Sequence, residues 1–272
     1  YSYLLRTPLT KAVDGTKPEV NHGVAKKKEY GFGIAGLMGV RFVDGNNEPT
    51  GEYGLVVTSV YPDSPASEAG FRRGTFFAQY NGAAITAANL NSVYGTLIAP
   101  GGASTVKLTE NKQGAQPVSL TAREIYPNPV IHSEVITSGA HRIGYLVYDS
   151  FDAAYDDELL AAVKKLKDGN ITDMVLDLRN NGGGVLEDAL NCIDLLCPEG
   201  TLAYAEDKDG DRTLLGSSDS ENVVELPMVC VVNKYTASAA ELFAASLRSL
   251  SGARLVGETT QAVSYTHLTL PT

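Results

Sequence analysis

Tryptophan is absent from this 272-residue chain, and cysteine, methionine and histidine are scarce at three, three and four residues. Three cysteines make neither a disulfide framework nor a metal pattern. Cys192 and Cys197 stand five apart on one apparent helix with no histidine pair to complete a site, so all three cysteines are expected to be buried small hydrophobes, with no metal bound. No apolar run reaches the length of a membrane span. Basic residues are also in deficit, 22 Lys and Arg against 32 Asp and Glu for a net charge of −10. That balance argues against nucleic acid or an anionic membrane surface as the main partner and identifies no substrate. An initiating methionine is missing too. The chain opens on Tyr1-Ser2-Tyr3-Leu4-Leu5, which reads as a fragment whose leader lies elsewhere.

Glycine (27 residues), tyrosine (14 residues) and a 43% hydrophobic content are what the chain does have. This is enough for real cores, many turns and two domains of ordinary size. Residues 1–28 form a polar lead-in. From Glu29 a Gly-punctuated apolar loop, Gly31-Phe32-Gly33-Ile34, precedes strand-like runs at Val40 to Val43 and Gly54 to Val60. The segment Ser64-Pro65-Ala66-Ser67-Glu68-Ala69-Gly70 reads as a capped single helical turn. A strand from Phe76 to Tyr80 closes in the hairpin turn Asn81-Gly82. A helix is expected over Thr86 to Leu97 with Leu90, Val93 and Leu97 on one side, then strands at Thr105 to Thr109 and Val118 to Thr121. This module spans 29–127, and Pro127 and Pro129 mark its end.

Beyond it strands alternate with helices, which implies an α/β layer with a largely parallel sheet over 128–262. Strands are expected at Arg142 to Tyr148, Met174 to Leu178, Leu202 to Ala205 and Met228 to Val232. Helices are expected at Asp156 to Leu166, at Val185 to Leu196 and from Ala239. Asp207 to Asp219 reads as a surface hairpin or loop.

Two strand-to-helix joints carry chemistry. At the first, a buried strand ends in Arg179-Asn180-Asn181, and Gly182-Gly183-Gly184 then turn tightly with N–H groups exposed. A phosphate cradle would look alike, but Val185-Leu186 stands where it needs Lys-Ser or Lys-Thr. At the second, Ser238 lies between the Met228 strand and an Ala-rich helix, beside the unpaired N–H groups of a helix start. An isolated serine there is ordinarily a cap. Paired with the glycine loop it becomes a candidate nucleophile facing an oxyanion pocket formed by the N–H groups of Gly183 and Ala239. Lys234 reads as solvated, and His132 and His141 as unsupported bases. Ser246 and Ser249 are helix-face residues. Asp149 and Asp152 could help to shape a cleft.

The S-P-A-x-x-A-G-x-x-x-G segment with its Y-N-G turn resembles a bacterial PDZ domain, in which Gly31, Phe32, Gly33 and Ile34 would bind a peptide carboxylate. Thr75 replaces the Asp usual there. The order strand–R-N-N-G-G-G–helix, then strand–N-K-Y-T-A-S-A-A-E-L–helix, resembles the C-terminal processing (tail-specific) serine peptidases. The resemblance covers about Glu29 to Ala262. It implies a PDZ domain before a crotonase/ClpP-like α/β peptidase core, truncated at the C-terminus, without metal or nucleotide cofactor. It makes Ser238 the nucleophile, and Glu241 and Arg179 structural. Substrates would be peptides or proteins with free C-termini, and the full-length protein would work in the bacterial envelope or periplasm, or be secreted. The family's base is a lysine in a G-E-x-T-x-G-K segment. Gly257-Glu258-Thr259-Thr260-Gln261-Ala262 is similar to it, but Val263 occupies the lysine position. Residues 263–272 resemble translated read-through of a sequencing adapter and are expected to be non-native, leaving this chain without its base and inactive. The other readings are a noncatalytic peptide-binding protein with a protease-like core and, more weakly, a crotonase-like acyl-transfer enzyme. The residue native to position 263 separates the first of these from the peptidase.

Overall fold

A computed structural model describes residues 28–151, 156–206, 211–218, 224–261 and 268–269. The chain divides into two compact units, Lys26–Ile131 and one that includes His132–Thr272.

The first unit begins with β1 (Glu29–Gly31), β2 (Ile34–Val43) and β3 (Pro49–Val60), followed by α1 (Pro65–Glu68), β4 (Phe76–Tyr80) and β5 (Ala83–Ala84). Helix α2 (Leu90–Ile98), β6 (Thr105–Glu110), β7 (Val118–Thr121) and β8 (Arg123–Ile125) complete it. The main sheet runs β2-β3-β4-β6-β7 with β5 attached to β4, while β1 and β8 pair separately. Asn81 (φ 50°) and Gly82 (φ 81°) both take the positive φ that a two-residue hairpin turn demands, and they join β4 to β5 as the sequence suggests. Ser64 caps α1 in a reciprocal box with Ser67. Helix α2 starts later than expected, because the Asn89 side chain accepts the Thr86 N–H at 2.8 Å and holds 86–89 as a turn. Val93 and Leu97 are its buried residues, packed into a core with Phe32, Ile34, Leu55, Phe77 and Leu108.

The second unit contains β10 (His141–Tyr148), which follows β9 (Val130–Ser138), and then α3 (Asp156–Asp168), β11 (Asp173–Asp177) and α4 (Leu186–Asp194). After these come β12 (Gly200–Glu206), β13 (Arg212–Ser218), β14 (Met228–Val232), α5 (Ala239–Ser251), β15 (Arg254–Gly257) and the short β16 (Leu268–Thr269). The central sheet runs β15-β14-β11-β10-β9, and its β10–β11, β11–β14 and β14–β15 pairs are parallel. A second sheet runs β13-β12-β16.

Residues 130–138, where the sequence suggests no strand, form β9, and His132 sits within it. Ser133 stands on its half-buried face and Ile136 on its exposed one, so no period-2 signal stands out in the residue types. Strand β13 pairs antiparallel with β12, so the polar stretch around 207–219 is in part the second arm of a hairpin.

Met174, Leu176, Met228 and Cys230 are buried along the central strands, and Ala239, Ala240, Leu242, Phe243 and Leu247 along α5. Cys192, Cys197 and Cys230 are free thiols and all buried, as the sequence implies. Burial pushes the Cys197 thiol up to about 11 and that of Cys230 up to about 12.

Candidate active site

Strands β11 and β14 are neighbours and parallel, with Asp177 opposite Val231 near their carboxyl ends. The loops leaving them therefore emerge side by side, which is where open α/β sheets place their sites. A hydrogen-bond lattice then locks them together. The Thr236 hydroxyl donates to the Leu178 carbonyl (2.9 Å), and the Ala237 N–H to the Asn181 carbonyl (3.0 Å). The Asn180 N–H donates to Asn233 Oδ1 (3.0 Å), and Asn233 Nδ2 donates back to Asn180 Oδ1 (2.9 Å). Asn181 is fully buried, and its Nδ2 reaches the Tyr148 carbonyl at 3.0 Å, bringing in the end of β10.

Ser238 stands at the head of α5 with φ 57° and ψ −124°. For a residue with a Cβ this is a strained conformation, costing on the order of 1–3 kcal/mol, and it persists only where the surroundings impose it. The Ser238 N–H donates to Glu241 Oε2 at 2.8 Å. The next N–H, that of Ala239, is buried and has no acceptor among the described residues. An orphaned buried N–H is rare, and here it lies beside the strained serine.

Gly183 is the third residue of this cluster. Its φ is 96°, and a Cβ there would lie 2.6 Å from Ser238 Cβ, 2.7 Å from the Ala237 oxygen and 2.8 Å from the Ala239 nitrogen. Only glycine permits that approach. The structure thus brings Ser238, Ala239 and Gly183 together. In this state the Gly183 N–H is engaged, donating to Asn181 Oδ1 at 2.9 Å. Phe151 flanks the loop, donating its N–H to the Gly183 carbonyl (2.9 Å) and accepting from the Val185 N–H (2.5 Å).

Beneath the loop, Asp177 is wholly buried, and it accepts from Arg179 and from the Tyr145 hydroxyl (2.7 Å). Burial alone would push its carboxyl up, but the Arg179 and Tyr145 hydrogen bonds outweigh that and hold it below the usual carboxylate range. Burial and the adjacent Asp177 push the Tyr145 phenol up.

The other titratable candidates have partners of their own. His141 Nδ1 meets Asp173 Oδ2 at 2.7 Å at the amino ends of β10 and β11, opposite the site. His132 Nε2 lies 3.3 Å from Glu134 Oε1 on β9. The Lys234 ammonium rests over the exposed Tyr235 ring, 5.1 Å from its centroid. Ser249 is exposed and Ser246 buried on α5; Asp152 and position 263 fall outside the described residues. The chain leading towards 263 is itself fixed: the Glu258 N–H donates to the Val232 carbonyl (3.2 Å) and the Gln261 N–H to the Thr236 carbonyl (3.0 Å).

In the first unit, Gly33 (φ 84°) packs so closely on Ser64 that a Cβ would overlap its side chain. The Gly33 carbonyl accepts from the Tyr61 N–H and the Phe32 carbonyl from the Ala66 N–H, both at 2.8 Å. The N–H groups of Phe32 and Gly33 have no acceptor among the described residues. Strand β2, which continues from Ile34, lies at the edge of its sheet.

Residues 142–270 match the model of peptidase family S41. The carboxy-terminal processing protease CtpA of Bacillus subtilis is 31% identical over 208 residues, which cover 76% of this chain and 44% of that protein. A carboxyl-terminal-processing protease of Synechocystis is 28% identical, covering 76% of this chain and 48% of that protein. The chain thus spans about half the length of these curated relatives. A solved S41 protease structure from Bacteroides fragilis has the same fold, with a TM-score of 0.60 at 24% identity over 87% of this chain and 65% of that one. Residues 142–270 therefore match peptidase family S41, and the chain is a relative of the C-terminal processing serine peptidases.

Proposed function

We propose that the chain represents a serine endopeptidase of the Ser-Lys type, with Ser238 as nucleophile and a PDZ-like first unit that receives substrate C-termini. One observation carries the reading: a strained, positive-φ serine at a helix head, followed by a buried N–H without an acceptor, against a glycine that only a missing Cβ lets approach. With a lysine at position 263, where this chain has Val263, Ser238 Oγ attacks the scissile carbonyl carbon while its proton passes to the neutral lysine amine. The N–H of Ala239 holds the resulting oxyanion, joined by that of Gly183 once the oxyanion displaces Asn181 Oδ1. Collapse releases the new amine with that proton and leaves an acyl-enzyme, which water hydrolyses. Removing one such donor costs about 3–4 kcal/mol of transition-state stabilisation.

In the first unit, the N–H groups of Phe32 and Gly33 before the β2 edge suit a terminal carboxylate followed by an added strand. The bacterial envelope, the periplasm or secretion is the site of action we infer for the whole protein; several relatives are named as chloroplastic. One further reading is a noncatalytic peptide-binding protein, which a non-basic residue native to position 263 would favour.

The test is turnover of a peptide with a free C-terminus by this chain and by its Val263→Lys variant. The chain itself is expected to turn over negligibly. The variant is expected to cleave and to lose that activity with Ser238→Ala. Peptide binding with no cleavage by either protein would instead support the noncatalytic reading.

A further inference from the structure

Glu241 uses both carboxylate oxygens, and on different parts of the chain. Oε2 accepts the Ser238 N–H at 2.8 Å, and Oε1 accepts the Thr260 hydroxyl at 2.6 Å. A glutamate at this helix position needs only one oxygen to serve its cap. The second bond is short, of the charge-assisted kind, and spans nineteen residues. It sits between the two backbone bonds that tie 258–261 to the serine loop, Glu258 N–H to the Val232 carbonyl and Gln261 N–H to the Thr236 carbonyl. Position 263 is two residues beyond Gln261, a reach of at most about 7 Å. The one carboxylate therefore joins the strained nucleophile to the segment that would deliver its base.

We propose that Glu241 and Thr260 form a positioning clamp that sets Ser238 and the 258–261 segment in mutual register; as a statement about catalysis it rests on the peptidase reading. Neither residue touches the reacting atoms. The clamp holds the positive-φ backbone of Ser238 through its own N–H and transmits that hold to the chain that leads to 263.

Two readouts test it. The first is amide hydrogen exchange in the chain as it stands, which needs no activity. Thr260→Val and Glu241→Gln are each expected to speed exchange at Ser238 and Gln261 by about tenfold or more, while Thr260→Ser, which keeps the hydroxyl, stays near the parent. The second is kinetics in the Val263→Lys chain. There Thr260→Val and Glu241→Gln are expected to lower kcat by about tenfold to a hundredfold with KM unchanged, the double variant no worse than the single ones, and Thr260→Ser to retain kcat. Unchanged Ser238 exchange in Thr260→Val overturns the clamp, and so does a Thr260→Val variant with parental kcat. An inactive Val263→Lys chain overturns the Ser-Lys reading instead, and the exchange result then decides the clamp alone.

Discussion

At the scale of single residues, backbone conformation and chemistry meet at Ser238. A φ of 57° costs a serine energy that glycine would not incur. Ser238→Gly is therefore expected to stabilise the protein by about 1 kcal/mol, or to raise Tm by about 2–4 °C. Ser238→Ala should leave Tm near the parent, because its Cβ keeps the strain; thermal unfolding of the three proteins checks the order. Gly183 presents the converse case. Gly183→Ala adds a Cβ 2.6–2.8 Å from Ser238, Ala237 and Ala239 at a positive φ. It should destabilise by about 2 kcal/mol or more and, in an active Val263→Lys background, lower kcat by at least about a hundredfold. Wild-type-like stability and kcat in Gly183→Ala would contradict the close packing. Both glycine and serine were legible in the sequence as the hinge residues of two motifs. Asn180, Asn181, Asn233 and Thr236 were not given a role there. Their bonds run between loops more than fifty residues apart, and nothing in an Asn or Thr at a strand end says which distant carbonyl it will meet.

At the scale of elements, the site depends on β10, β11 and β14 ending together, and Tyr145, Asp177 and Arg179 stitch the first two across their register. The folded state holds the Asp177 carboxyl below its usual value. Its contribution is thus fully present above the unfolded value, near pH 4, and is lost as pH falls through the lower folded one. Asp177→Asn should cost about 2–4 kcal/mol at pH 7, with Arg179 left partly buried and unpaired, and should flatten the loss of stability below pH 4. Urea unfolding across pH 2–7 measures both effects; a parallel shift of the two curves would assign the acid limb elsewhere, for instance to Asp173, which hydrogen bonds from Thr172 and His141 also hold low. Element types were legible wherever periodicity or turn chemistry was strong, as in the Asn81-Gly82 hairpin, α5 and the buried β14. Strand β9 was missed because its half-buried face carries Ser133 and its exposed face Ile136, so its apolar residues do not alternate.

At the scale of the whole molecule, the proposed function assigns the two units two separable activities, carboxylate recognition and bond cleavage. Peptide affinity should fall by about tenfold or more when the peptide's C-terminus is amidated, and in Gly33→Ala, whose Cβ would overlap Ser64. Calorimetric titration with free and amidated peptides checks this, and equal affinities would remove the PDZ-like reading while leaving Ser238 untouched. The sequence by itself determined the α/β class, the two loop motifs and the serine between strand and helix, because glycine turns, apolar runs and caps are local properties of neighbouring residues. Only the tertiary structure decided that Gly183 lies against Ser238, that its N–H is held by Asn181, and that Glu241 binds both the Ser238 backbone and Thr260. Those outcomes follow from which strands lie side by side and in what register, and pairing over such separations is fixed by the packed sheet as a whole.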